Sequence, residues 1–290
     1  MLNTKQVLKA IFPAHLRPIA KQQFNNLHYH LWRVSAREEP ILKEPIFMIG
    51  CPRSGTTISV NLFAMHPWLA NWSEAGRVWD PAGYHDTGAD HCWGADKVTG
   101  ETIRRLHSRF EWYRQLHKKR RFINKHPRNS VRIDYIRAIF PDALFIHVIR
   151  DGRAVVNSIV KRIERDPERQ HVPFGDFCKP PQWRCYLRED PIEQAALQWR
   201  EITGYILGKR SELGSRYYEF KYEDMCLRPR QVFAAAFAFA GLPISDELLA
   251  EIPQRLKNMN YKVGQELSPA QIANVNTIQN ELLEALQYPV

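Results

Sequence analysis

No C-x-x-C pair occurs among the five cysteines, Cys51, Cys92, Cys178, Cys185 and Cys226, and their number is odd. Neither a disulfide frame nor a cysteine zinc site is expected, and the thiols read as reduced, as in the cytosol. Long apolar runs are missing too: the longest candidate, Val232 to Leu242, is too short for a membrane span. No secretory pattern opens the sequence, because Lys9, His15 and Arg17 break its apolar stretches, so cytoplasmic residence is the expectation. Internal repeats and low-complexity segments are absent. Carboxylates are scarce between Arg104 and Arg132, where eleven arginines and lysines face only Glu111. The formal charge of +10 favours anionic partners, whether nucleic acid, an acidic membrane surface or a small polyanionic cofactor or substrate. The basic stretch reads either as a solvated face or as the rim of a site for an acidic substrate.

What is present suits one domain of 290 residues with a short appendage. Residues 1–40 form a basic lead-in, helical in parts, interrupted by Pro13 and Pro18 and punctuated by Glu38-Glu39-Pro40. Within it Val7 to Trp32 could lie peripherally on an anionic membrane, although packing on the main domain is the preferred reading. Residues 41–290 form the domain proper, with loop insertions at about 68–100 and 165–191. The first insertion holds His85, Asp86, Asp90, His91 and Asp96, whose spacing matches no metal-ligand signature, so no metal is expected. Apolar runs at Ile46–Ile49, Arg121–His126, Ala143–Ile149 and Arg216–Tyr222 alternate with helical patterns. That alternation predicts an α/β, P-loop-like three-layer fold with a central parallel sheet flanked by helices. Asn129 is placed to cap the helix that carries Ile133, Ile136 and Ile139.

The stretch PIFMIGCPRSGTTISVNLFAM, Pro45 to Met65, runs from a buried strand through a tight loop into a helix. A loop of that kind offers unpaired backbone N–H groups and the positive end of a helix dipole, which suits a phosphate or sulfate. Gly50 and Gly55 bracket four residues as in a nucleotide P-loop, yet Thr56 stands where that motif requires Lys. The cation lies inside the loop instead, at Arg53, and Ser54, Gly55, Thr56 and Thr57 complete the turn around one terminal phosphate. A second anion site is expected at Arg150, at a strand end, with Ser158 two turns along the next helix.

PRSGTT resembles the 5′-phosphosulfate loop of sulfotransferases that use 3′-phosphoadenosine 5′-phosphosulfate (PAPS). FIHVIRDGRAVVNS resembles the 3′-phosphate motif of the same family, with Arg150 and Ser158 at its phosphate-contacting positions, and YYEFKYEDMCL resembles the strand and loop that follow. The likeness runs from about Ile46 to Gly264 and is nearest to the tyrosylprotein and related bacterial branch. It implies PAPS as the donor, no metal, and in-line transfer of a sulfuryl group to a hydroxyl, less readily an amine. Glu74 falls at the family's catalytic glutamate, Arg53 and Lys125 at its charge-stabilising positions, and Tyr222 at its aromatic near the nucleotide; Lys262 is carried over from a nucleotide-covering loop. His126 is the competing base, one residue away from the family's histidine. The implied acceptor is a small molecule, glycan or peptide, anionic or aromatic, with Trp68 to Gly100 and Arg165 to Pro191 setting specificity. A homo-oligomer stays open. Two rival readings are a P-loop phosphotransferase, which lacks its Lys at position 56, and a basic nucleic-acid-binding protein, which rests on charge alone.

Overall fold

The computed structural model describes Pro13 and residues 17–289, with the backbone alone for 17–19, 21 and 22. Part of the expected surface segment, residues 7–12 and 14–16, lies outside the described residues. Helix α1 (Arg17–Ser35) leads. Pro18 sits in its first turn, where a missing N–H loses no helical bond, so it begins the helix instead of interrupting it. Then follow β1 (Ile46–Ile49), α2 (Thr56–Phe63), β2 (Leu69–Asn71) and α3 (Gly100–Leu116). After them come β3 (Arg121–Lys125), α4 (Ile133–Ile139), β4 (Leu144–Ile149), α5 (Gly152–Glu164) and α6 (Pro191–Gly208). The chain finishes with β5 (Tyr217–Lys221), α7 (Tyr222–Leu227), α8 (Pro229–Phe239), α9 (Asp246–Glu251) and α10 (Pro269–Ala285).

The five strands form one parallel sheet in the order β2-β3-β1-β4-β5. Alternate side chains of a strand point to opposite faces, and both faces here are apolar. Phe47, Ile49 and Phe145 pack with Phe110 of α3, Ile136 of α4, Val155 of α5 and Trp199 of α6. Ile46, Met48, Ile146 and Val148 pack instead with Val60 and Phe63 of α2 and Phe233 and Phe237 of α8. The result is the expected helix–sheet–helix sandwich, with β1 at its centre. From β1 the chain moves outward to β2, returns through β3 and crosses to β4, so the strand order reverses beside β1, where open α/β sheets collect ligands.

Three local expectations need correction. The stretch from Trp68 to Pro81 is not loop throughout: β2 adds an edge strand, and Gly76–Trp79 makes a helical turn. A three-residue strand is too short to show a period in sequence. Asn129 does not cap α4; it lies inside a 3-10 turn, Pro127–Val131, and its amide donates to Asn124 Oδ1 at 2.7 Å. A helical pattern in the sequence runs from Glu247 to Leu256, but helix α9 stops at Glu251, because Pro253 offers no N–H to continue it.

Helix α1 packs on α3. Trp112 donates to His28 Nδ1 at 2.9 Å, Trp32 donates to Gln115 Oε1 at 2.9 Å, and the Arg109 guanidinium lies 3.6 Å from the centre of the Tyr29 ring. This is the packed arrangement expected for the lead-in. Its outer side exposes Phe24, Leu27, Leu31 and Val34 at helical spacing. No described helix is long and apolar enough to cross a membrane.

Candidate active site

The anion loop begins where β1 ends. Gly50 approaches β4 so closely that a Cβ would lie 2.6 Å from the Val148 carbonyl oxygen. Ser130 clamps the loop from the other side, accepting from the Gly50 N–H at 3.0 Å and donating to its carbonyl at 2.8 Å. Gly55 stands at the head of α2 with φ +91 and offers no side-chain cap, leaving the first amides of the helix for a ligand. A Cβ on Gly55 would lie 2.6 Å from the Tyr222 ring, so the ring is seated directly on the loop. Arg53 adopts φ +72 and Glu74 φ +53. Left-handed backbone at a non-glycine residue costs on the order of 1–3 kcal/mol, and Arg53 and Glu74 are two of the eight described non-glycine residues that adopt it.

Arg53, Gly55, Thr56, Thr57, Glu74, Lys125, Arg150, Ser158 and Tyr222 all line one cavity of about 290 Å³. Arg150 is buried and central to it. Its Nη1 donates to the Arg53 carbonyl at 2.9 Å, its Nε donates to Asn260 Oδ1 at 2.9 Å, and its guanidinium lies 4.5 Å from the centre of the Tyr222 ring. Ser158 is bonded by Arg53, whose Nε donates to Ser158 Oγ at 3.0 Å. The two expected anion sites therefore meet through Arg53. Burial, and after it the positive charge of Arg150, lowers the pKa of Arg53; burial is the main cause of the lowering at Arg150. Neither arginine has a carboxylate ion pair among the described residues, an arrangement that is stabilised when an anion arrives.

Glu74 reaches this cavity by strand register. Beyond β2 the parallel ladder to β3 continues, with Trp72 N–H donating to the Ile123 carbonyl at 3.1 Å and Glu74 N–H to the Lys125 carbonyl at 2.7 Å. The two side chains then meet: Lys125 Nζ donates to Glu74 Oε1 at 2.6 Å and to Thr57 Oγ1 at 3.1 Å. Lys125 is buried whereas Glu74 is more than half exposed, so the carboxylate faces open volume. Arg77, three residues along, bonds His85 and makes no ion pair with Glu74 among the described residues.

His126 lies in the next cavity, of about 510 Å³, which it shares with Arg53 and Glu74. Its Nδ1 accepts from the Arg128 N–H at 3.2 Å, and burial followed by Arg132, Arg128 and Lys125 pushes its pKa well below the ordinary value. Its burial and these cations favour the neutral imidazole, which has one ring nitrogen engaged. Ser54, buried, shapes the loop without lining the cavity of about 290 Å³. Lys262 is drawn toward Glu266 at 3.8 Å and does not line that cavity. Asn260, from the same loop, contacts Arg150 in its place and donates to Glu223 Oε1 at 2.6 Å. Sequence reasoning missed Asn260, Ser130 and Phe177, which lines the cavity from the second insertion. Asn260 carried a signal only as a polar residue two positions from the one chosen. Among the described residues no cluster of His, Cys, Asp and Glu could hold a metal ion.

The family model described as "Sulfotransferase family" matches residues 45–246. Protein-tyrosine sulfotransferase A of Caenorhabditis elegans is 31% identical over 224 residues, covering 70% of this chain and 51% of the relative. Nodulation protein NoeE of Sinorhizobium fredii is 25% identical over 226 residues, covering 72% of this chain and 52% of the relative. The chain thus spans about half the length of the curated relatives it matches. In fold it resembles sulfotransferase STF9 from Mycobacterium avium, with TM-score 0.60 and 17% identity over 97% of this chain and 88% of that one. Because the family match takes in both the Gly50–Thr57 loop and the Arg150–Ser158 segment in one continuous stretch, the chain belongs to the sulfotransferase family.

Proposed function

We propose that the chain transfers the sulfuryl group of PAPS to a hydroxyl, less readily an amine, of an acceptor, with Glu74 as general base. One observation carries this reading: the anion loop, the Arg150–Ser158 pair and the Glu74–Lys125 pair open into a single cavity. The donor set fits a nucleotide phosphorylated at both ends. The uncapped start of α2, with Thr56 and Thr57, would hold its 5′-phosphate; Arg150 and Ser158 would hold its 3′-phosphate; and the Tyr222 ring would lie against it. PAPS when bound supplies an activated sulfuryl group on a phosphate leaving group.

The remaining chemistry belongs to the chain. Glu74 accepts the proton of the acceptor hydroxyl at its exposed oxygen, while Lys125 holds the carboxylate in place and, with Arg53, offsets charge that develops on the leaving phosphate and the sulfonate oxygens. Fixed cations and amides supply that charge, so no metal is called for. Thr56, standing where a P-loop phosphotransferase requires Lys, favours this reading over a phosphotransferase. The five cysteines are all free, which supports residence in a reducing compartment such as the cytoplasm. The exposed stripe Phe24, Leu27, Leu31 and Val34 beside the basic lead-in favours peripheral contact of α1 with an anionic membrane surface.

Calorimetry tests the donor: 3′-phosphoadenosine 5′-phosphate (PAP) should bind tightly, with ATP and an oligonucleotide far weaker. Labelled PAPS incubated with an extract of the protein's own cells tests the transfer. Glu74→Gln should cut labelled product about 100-fold or more while PAP affinity holds. Activity that survives Glu74→Gln but is lost in His126→Gln would move the base to His126.

A further inference from the structure

Resting on the proposed transfer, we infer that the cavity walled by α1, on the side of Glu74 away from the loop, is the acceptor pocket, and that Arg109 selects an acceptor bearing an anionic group beyond an aromatic body. This cavity, about 740 Å³, is large enough for a drug-sized molecule and shares Glu74 with the nucleotide cavity. A hydroxyl at Glu74 would therefore sit between donor and pocket. Trp72, Tyr84 and Trp112 give it flat apolar surfaces.

Charge in the pocket is one-sided. Arg77, Arg105 and Arg109 line it, and the one carboxylate among its lining residues, Glu74, is already engaged by Lys125 at 2.6 Å. Two of the three arginines are committed within the protein: Arg105 donates to the Val78 and Trp79 carbonyls, and Arg77 meets the His85 imidazole. Arg109 differs. Its guanidinium carbon lies 3.6 Å from the centre of the Tyr29 ring, and among the described residues it makes neither a hydrogen bond nor an ion pair. Stacking fixes the plane of a guanidinium while leaving its edge N–H groups free, an arrangement suited to a carboxylate, sulfate or phosphate. Half-buried placement lowers the dielectric around that edge and strengthens such a contact.

The wall that presents Arg109 lies outside the matched family segment. Tyr29, which holds the guanidinium, and Asn25 and Asn26, which line the cavity, belong to α1, whereas the family match covers residues 45–246. The family segment supplies the nucleotide site, and the lead-in helix of this chain supplies part of the acceptor site.

The test uses the full chain loaded with PAP and a matched pair of phenols, 4-hydroxyphenylacetate and 4-hydroxyphenylacetamide, titrated by calorimetry. The acid should bind at least about tenfold more tightly than the amide, the scale of one charged hydrogen bond. Arg109→Gln should reduce that preference to less than about twofold. A phenol sulfonate in place of the acid separates planar from tetrahedral anions as the preferred group. Asn26→Trp, which fills the cavity without touching the cation, should weaken acid and amide together. Equal affinity for the pair, binding of neither, or a preference that survives Arg109→Gln overturns the inference. Failure of the wild-type chain to bind PAP in the same cell would instead refute the transfer reading beneath it.

Discussion

Arg150→Ala is the most searching perturbation of the nucleotide site. In the structure this side chain is 7% exposed, donates to the Arg53 carbonyl and to Asn260 Oδ1, and lies against the Tyr222 ring. Removing it deletes the charged donor expected to face the 3′-phosphate, and a charged hydrogen bond of this kind costs roughly 2–4 kcal/mol when one partner is cut away. From this contact alone PAP should bind about 30- to 900-fold more weakly. The lost bond to the Arg53 carbonyl also loosens the loop that faces the 5′-phosphate, at about 1 kcal/mol. Adenosine 5′-phosphate, which lacks the 3′-phosphate, should consequently weaken by only about fivefold. Titration calorimetry of both nucleotides against wild type and variant gives the two ratios. The variant should scarcely distinguish the pair. If Arg150→Ala still prefers PAP by the wild-type margin, Arg150 does not read the 3′-phosphate and the two-site arrangement is wrong.

Other substitutions test the frame around it. Gly55→Ala places a methyl against the Tyr222 ring at a φ of +91, so a stability loss of about 1–3 kcal/mol with a marked loss of PAP affinity is expected, read by thermal unfolding and calorimetry. Acid should unfold the protein early: burial pushes His91 down to about 2 and His147 down to about 3, so both stay neutral in the fold while the unfolded chain protonates them near pH 6.5. Their stability contribution is full above that value and is lost as pH falls toward the folded values, at up to about 1.4 kcal/mol per pH unit for each group. Urea unfolding from pH 7 to pH 5 should show this loss, and a flat profile would contradict it.

The anion loop and the Arg150–Ser158 segment were legible because each is a strand, a turn and a helix in unbroken sequence, where spacing alone brings donors to one end. The three-layer sandwich followed for the same reason, since an apolar run buried on both faces announces its strand without long-range information. Asn129 misled because a polar residue before an apolar period has the form of a cap; a buried amide partner, Asn124, drew it into a different turn. Lys262 is carried over from a family loop that covers the nucleotide, yet the backbone presents Asn260 of the same loop to Arg150.

Sequence alone determined the α/β sandwich, the glycine-flanked loop at the head of α2 and the place of Arg150 at the end of β4, because these depend on neighbours along the chain. Only the tertiary structure decided what surrounds them. Glu74 and Lys125, 51 residues apart, meet because β2 extends the parallel ladder of β3. Arg150 and Asn260, 110 residues apart, meet because the C-terminal loop folds over β4. Tyr29 holds Arg109 above the open cavity because α1 packs on α3. Strand register and helix docking are set by packing across the whole molecule, and no local period in the sequence records them.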